Sequence, residues 1–388
     1  MKNTLLIAVC SLIRICSAAT EIKQFDFYGR TVMVPLDPTL QHLRFDSKNI
    51  SFIKVSTQLK AMHKLDLPNT FRQLRQEAKK MKLDRVGYFQ LIKVFSMKAF
   101  PEQSADFRKA IAWYGLRDVG IDVILVGSHD YFNLFVRLDQ EPDGCYSMSS
   151  GGKKYFSVTK GEIPYNKMEV FRPLLLQDSA MDPLSLDISC LPELGNSIVG
   201  RSREFEYNNR NYVLNTRYNA NLVSYMNDLP RFRIGTHLYN LRPSEEAGKS
   251  LDDSLKIWML GMSYSEKLSF ILNMVQRAFP YKADRDYRPR EKRNFIEQTL
   301  ADDYTDCEDK AALFCYLAKN YLNSNTILIY SQSATHVTAA LELEKNAPGY
   351  TFKLNNKGYL ICEAACTGYK PGATILTQKQ IKTAEIYQ

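Results

Sequence analysis

The chain has 388 residues, 45% of them hydrophobic and 24% charged, with a formal net charge of +9 and eight cysteines. That apolar content excludes a disordered polymer, and the length suggests two or three domains. The positive excess is dispersed except for "RDYRPREKR" at 285–293, which reads as a solvated loop; no motif for nucleic acid accompanies it, and no such partner is expected.

Residues 1–19 combine Lys2, the apolar run "LLIAVCSLI" and the small residues of "SAAT", the layout of a signal peptide cut after Ala18 or Ala19. The expectation is an exported protein, periplasmic or secreted. No later stretch approaches the ~18 apolar residues of a membrane-spanning helix, so no transmembrane segment is expected.

Residues 20–98 read as short strands through about residue 60 ("FDFYGRTVMVPL"), then helices, with "TFRQLRQEAKKM" the clearest. In 99–165, "SADFRKAIAWYGLRDVGIDVILVGSHDYFNLFVRL" is a helix, a turn and two strands. Residues 166–250 are a β-rich linking region. Around and within it, "KYFSVTKG", "REFEYNNRNYVLNTRY" and "RFRIGTHLYNL" alternate as antiparallel strands do. Residues 251–388 open with the helices "SLDDSLKIWMLGM" and "YSEKLSFILNMVQRAF". After the basic loop come a helix over 306–322 and the strands "TILIYS", "HVTAALELE" and "GYLICEA". The fold class is therefore α+β. When Leu116 is laid on Leu317, the helix, turn and strand of 99–165 fall on those of the C-terminal block. Asp106 then takes the place of Cys307, and no histidine matches His336. The segment is either an inactive copy or a coincidence of a common arrangement.

Removal of the signal leaves Cys145, Cys190, Cys307, Cys315, Cys362 and Cys366. Their spacing fits no zinc ribbon or finger, so neither metal nor cofactor is expected. Cys145 with Cys190 is a candidate disulfide, and Cys315 within "AALFCYLA" reads as core.

The chemistry concentrates in "LADDYTDCEDKAALFCYL", residues 300–317. "TDCE" fits a capping box with Thr305 as N-cap and Glu308 three residues on, which places Cys307 in the first turn. There the helix dipole and free N–H groups favour a thiolate, while Asp306, Glu308 and Asp309 oppose it. A protonated His336 should tip the balance and bring the thiol below its ordinary pKa. His336 opens the small-residue strand "HVTAAL". Glu363, ending "YLICEA", can accept the imidazole N–H, whereas Glu342 lies ~20 Å along the same strand as His336. Tyr304 is a candidate oxyanion donor beside the Cys307 N–H.

Cysteine at a helix start, histidine on a strand and an acid at the end of the next strand resemble the transglutaminase-like superfamily. Its core is related to papain-like peptidases. The run from "FILNMVQRAF" through "DCEDKA" to "HVTAALEL" and "YLICEAACTGYKPG" is similar to exported transglutaminase-domain proteins of Bacteroidetes. The resemblance implies a transglutaminase-like domain at 251–388 with its nucleophile helix packed on an antiparallel sheet. It also implies Cys307 as nucleophile, His336 as base and Glu363 as the orienting acid. The family pattern has Asp-Pro-Thr where this chain has Glu363, Ala364 and Ala365. The implied activity is acyl transfer from peptide or protein amides through a thioester, with hydrolysis favoured over cross-linking. The alternative is a binding protein on the same fold without activity.

Overall fold

In the computed structural model the described residues are 21–388 except 44–50, 66, 129–130, 143–144, 158–168, 172–180, 189, 231–232, 236, 289–290 and 344–348. The expected signal segment 1–19 lies outside them.

The chain starts with an antiparallel hairpin, β1 (Glu21–Phe27) and β2 (Arg30–Leu36), joined by Tyr28 and Gly29 at φ 47° and 78°. Two consecutive residues with positive φ give the turn whose twist matches that of the strands. Phe25, Phe27, Val32, Val34 and Leu36 alternate into the core. Helices follow: α1 (Thr39–His42), α2 (Phe52–His63), α3 (Leu67–Lys80), α4 (Arg85–Lys98) and α5 (Ala105–Asp118). The expectation of strands up to residue 60 fails at α2. Ser51 caps that helix by accepting from the Lys54 N–H, and Val55, Leu59 and Met62 are buried at helical spacing. That period outweighs the β-branched residues.

A first sheet contains β3 (Val123–Ser128), β4 (Tyr131–Val136), β5 (Ser147–Ser150), β6 (Lys153–Ser157) and β7 (Glu169–Phe171), in the order β5-β6-β4-β3-β7. A long hairpin, β8 (Ile198–Tyr207) and β9 (Arg210–Asn219), leads into α6 (Ala220–Asp228) and α7 (His237–Asn240). "RFRIGTHLYNL" was expected to be a strand. Among its described residues the regular element is α7, whose Leu238 and Tyr239 are buried together, a neighbouring pair that strand alternation would separate.

The C-terminal unit has α8 (Glu245–Trp258), α9 (Tyr264–Ala278), α10 (Ile296–Ala301) and α11 (Cys307–Tyr321). It continues with β10 (Thr326–Ser331), β11 (His336–Leu343), β12 (Thr351–Leu354), β13 (Lys357–Cys362), α12 (Gln378–Lys382) and β14 (Glu385–Tyr387). Its antiparallel sheet runs β12-β13-β11-β10-β14. The fold is thus mixed α and β with antiparallel sheets. Both five-stranded sheets follow a helix, α5 or α11, and both thread their strands in the same order.

The second sheet is buried on both faces, which fixes the site above it. Leu328, Val337, Ala339, Leu341 and Leu360 form one cluster with Leu313, Phe314 and Leu317 of α11. Ile327, Ile329, Ala340 and Ile361 turn to the opposite face, under Leu376 and Ile381. Burying each such Leu or Ile contributes about 1.5–3 kcal/mol. Alanine at 339 lets the helix backbone approach the strand closely, bringing the first turn of α11 onto the first residues of β11.

Candidate active site

The first turn of α11 is built differently from the expected capping box. Asp306, not Thr305, is the N-cap, accepting from the Asp309 N–H at 3.3 Å. Thr305 is held outside the helix, where it bridges Tyr281 and donates its hydroxyl to Pro280 O. Glu308 is thereby released from capping, and its carboxylate accepts the Cys307 thiol at 3.1 Å. Arg293 lies 3.9 Å from its other oxygen. Cys307 is the first residue of the helix and only 7% exposed.

His336 is the first residue of β11, opposite Ser331. Its Nε2 lies 3.1 Å from both oxygens of Glu363, and that carboxylate is fully buried. β13 ends at Cys362, so Glu363 leaves the strand at the point where its longer side chain can turn back to the imidazole. Glu363 also accepts from the Ala365 N–H and the Thr374 hydroxyl, a set of donors suited to a carboxylate. With Nε2 given to Glu363, Nδ1 is the nitrogen left with a lone pair. Cys307 faces the strand of His336 at the next residue, Val337, whose N–H favours the thiolate. The structure thus pairs His336 with Glu363, while Cys307 meets the same strand one residue further on, at Val337. Glu342 is on the surface, paired with Lys357 and Asn325.

The electrostatics depart from the expectation of a depressed thiol pKa. Burial first, then Glu308 and Asp306, push Cys307 well above the ordinary thiol value, and the Val337 N–H offsets this only in part. Asp306 is itself raised to about 11 by burial and by Asp309 and Glu308. Asp309 is also raised, chiefly by burial, although it accepts both the backbone and side-chain N–H of Asn294. The resting site therefore holds a protonated thiol donating to Glu308.

A cleft of about 730 Å³ opens above the site, with His336, Lys310, Tyr281 and Cys366 among its walls. Cys307 is not itself among the lining residues. Lys310, one turn after Cys307, is buried and donates its ammonium to Gln276 O at 2.9 Å, near Ala365 O at 3.5 Å; burial brings it down to about 8. The Gln276 amide in turn donates to Glu363 O and Tyr369 O. Together they tie α9, α11 and the segment after β13 around the site. Lys310, Gln276 and Tyr281 carry no local signal of a role in the sequence.

Tyr304 does not line the cleft. Its ring is 39% exposed and packs against Tyr287, with the Lys282 ammonium over its face. Tyr281 lines the cleft instead. Its hydroxyl is raised to about 12, first by burial and then by the neighbouring Cys307, so it stays a donor.

The basic loop is largely neutralised within the protein. Arg288 and Lys292 pair with Asp302, Arg288 also approaches Asp284, and Arg293 meets Glu308. Asp284, Glu291 and Asp306 can bring one oxygen each within 4.8 Å of the others. The Arg288 guanidinium, 3.4 Å from Asp284, already supplies positive charge there. Among the described residues no disulfide is present, so Cys145 and Cys190 are not bridged to each other. Cys315 is core, as expected, and burial raises it to about 12. Among the described residues no helix is long and apolar enough to cross a membrane. Comparison with known proteins returned no matching family model, no matching curated protein and no matching solved structure.

Proposed function

We propose that Cys307, His336 and Glu363 form a transglutaminase-like Cys-His-Glu triad that transfers acyl groups from peptide amides through a thioester, with water as the usual acceptor. The observation that carries this reading is the buried imidazole clasped by both oxygens of Glu363 at 3.1 Å, next to a strand N–H that favours the Cys307 thiolate. The carboxylate fixes the ring's tautomer and orientation and leaves Nδ1 with the lone pair that a base requires.

The steps follow from the atoms present. His336 Nδ1 takes the thiol proton as sulfur attacks the amide carbonyl, and the Cys307 N–H with the Tyr281 hydroxyl donates to the oxyanion. The imidazolium, steadied by Glu363, returns the proton to the departing amine, leaving a thioester. His336 then deprotonates the attacking water, and the collapse of that intermediate releases the acid and restores the thiol. Because Glu308 accepts the thiol proton at rest, the ligand must draw Cys307 away from Glu308 before attack. The protein is read as acting outside the cytoplasm, as its first 19 residues suggest.

The second reading, a binding protein without activity, is favoured by one observation: the buried carboxylates that hold the Cys307 thiol protonated. Hydroxylamine distinguishes the two. A thioester partitions to a hydroxamate detectable by mass spectrometry, so an unmodified peptide mixture plus hydroxylamine should give hydroxamates with the native enzyme and none with Cys307→Ser. If no peptide amide is cleaved or converted at any pH from 6 to 10, the binding reading stands.

A further inference from the structure

The cleft has one wall that the triad does not use: three consecutive residues of β8, Glu204, Phe205 and Glu206. Side chains of consecutive strand residues point to opposite faces, so a cleft lined by all three runs along the edge of the strand. The register shows which edge groups are open. The two-residue turn Asn208-Asn209, at φ 49° and 59°, closes on Tyr207 and Arg210. That closing pair is the hydrogen-bonded kind, so Phe205 and Arg203 exchange bonds with β9 while Glu204 and Glu206 turn their N–H and C=O groups away from it. β8 has no second strand beside it among the described residues. The Asn273 amide, positioned by Arg277 Nε, donates to Glu206 O at 3.0 Å. The Glu204 N–H, the Glu204 C=O and the Glu206 N–H then remain facing the cleft.

Phe205 packs into the core against Tyr212, Trp258 and Phe270, which fixes the strand. Glu204 and Glu206 point the other way and are exposed, opposite the uncharged Val213 and Asn211. Among the described residues neither carboxylate has a cationic partner. The cations in the same cleft do not reach them: Lys310 is turned onto backbone carbonyls, and Arg277 gives its Nε to Asn273.

We infer that β8 is the element that reads the substrate: an extended peptide pairs with its free edge, and basic side chains two residues apart lie beside Glu204 and Glu206. The two-residue period of a strand puts alternate peptide side chains on the carboxylate face whichever way the peptide runs. This names the substrate of the site proposed above and rests on that reading, but it can be tested without catalysis.

Fluorescence anisotropy on the Cys307→Ala protein, at low salt, compares labelled decapeptides that differ only at the centre: Lys-Gln-Lys, Ser-Gln-Ser and Glu-Gln-Glu. Lys-Gln-Lys should bind at least about fivefold tighter than Ser-Gln-Ser, and Glu-Gln-Glu weaker still. Each of Glu204→Gln and Glu206→Gln should cost Lys-Gln-Lys about two- to fivefold, as exposed ion pairs do, and leave Ser-Gln-Ser unchanged. Methylating the central backbone nitrogens should weaken every peptide, because main-chain pairing is lost. Equal affinity for the three peptides, or indifference of Lys-Gln-Lys to both variants, overturns the inference. Selective binding by Cys307→Ala, with no hydroxamate formed by the native protein, sinks the acyl-transfer reading and leaves the peptide site standing. Hydroxamates from peptides of every charge, without selective binding, do the reverse.

Discussion

Glu308→Gln is the most informative single substitution because it acts on the contact that accepts the Cys307 thiol proton at rest. In the native site the Cys307 thiol donates to Glu308 at 3.1 Å, and Glu308 stands, after burial itself, first among the groups that raise this thiol. Replacing the carboxylate by an isosteric amide removes a negative charge beside the sulfur and a strong acceptor of its proton. Both changes favour the thiolate, so the apparent pKa must fall. A charge at this distance moves a buried group by about one to three pKa units. With a fall of one unit, the thiolate fraction well below the pKa rises about tenfold, while its nucleophilicity drops about threefold for a Brønsted slope of 0.4–0.5. The net expectation is alkylation by iodoacetamide about threefold faster at pH 7–8, with the pH profile displaced downward by at least one unit. Circular dichroism should show α11 intact, because the N-cap is Asp306. An alkylation profile that is unmoved or displaced upward refutes the assignment of Glu308 as the proton acceptor.

Removing the orienting acid should separate binding from chemistry: Glu363→Ala is expected to lower kcat by about 10²–10⁴-fold with little change in KM, and Glu363→Gln by less, because it keeps a hydrogen-bond partner for Nε2. Asp306→Asn should raise thermal stability increasingly with pH. The folded carboxyl, at about 11, retains a proton that the unfolded chain releases near pH 4, so native stability falls as pH rises through that window, and the neutral amide removes the fall while still capping the helix. A variant whose Tm falls in parallel with the native protein from pH 6 to 9 contradicts this. Ala339→Leu adds volume where β11 meets α11, and should cost about 1–3 kcal/mol in denaturant unfolding and lower activity by displacing His336 from Cys307. Denaturation under non-reducing conditions should expose all six thiols to alkylation, and a mass lacking two adducts would show a bridge.

What could be read from the sequence depended on how local the cause was. The helix after Asp306, the strand that starts at His336 and the acid after "YLIC" each carry their signal within a few residues, and their chain order implies a shared sheet. The N-cap was misassigned because Thr305 and Asp306 are both good caps. The choice is made by a tertiary contact, the bridge that holds Thr305 against Tyr281. The thiol's environment was misjudged for a related reason. The expectation lets a protonated His336 outweigh Asp306, Glu308 and Asp309, whereas all three carboxyls are buried and cannot turn out to water. Gln276 and Tyr281, far away in sequence, reach the site only because α9 packs along α11, and no pattern of spacing announces that. The basic loop looked like a surface charge cluster until folding brought Asp284, Asp302 and Glu308 beside it.

The two five-stranded sheets show that this arrangement of helix and strands does not by itself make a site. Both thread their strands identically after a helix, and both join the first two strands of that order in chain sequence by a short connection, Ser128 opposite Tyr131 in one and Ser331 opposite His336 in the other. In the first turn of α5 the chain has Asp106, which is buried and ion-paired with Lys109; in the first turn of α11 it has Cys307. Tyr131 opens β4 where His336 opens β11. A carboxylate with a salt-bridge partner needs nothing from a base, so the first unit can be stable without any of the three groups. In the second unit each group is costly alone: a buried glutamate, a buried imidazole and a thiol pressed against carboxylates. They are tolerated together because Glu363 satisfies His336, Glu308 accepts the thiol proton and the Val337 N–H favours the thiolate. In the topological twin α5 has Asp106 in its first turn and β4 starts with Tyr131, so the shared topology alone does not require the polar groups of the second sheet.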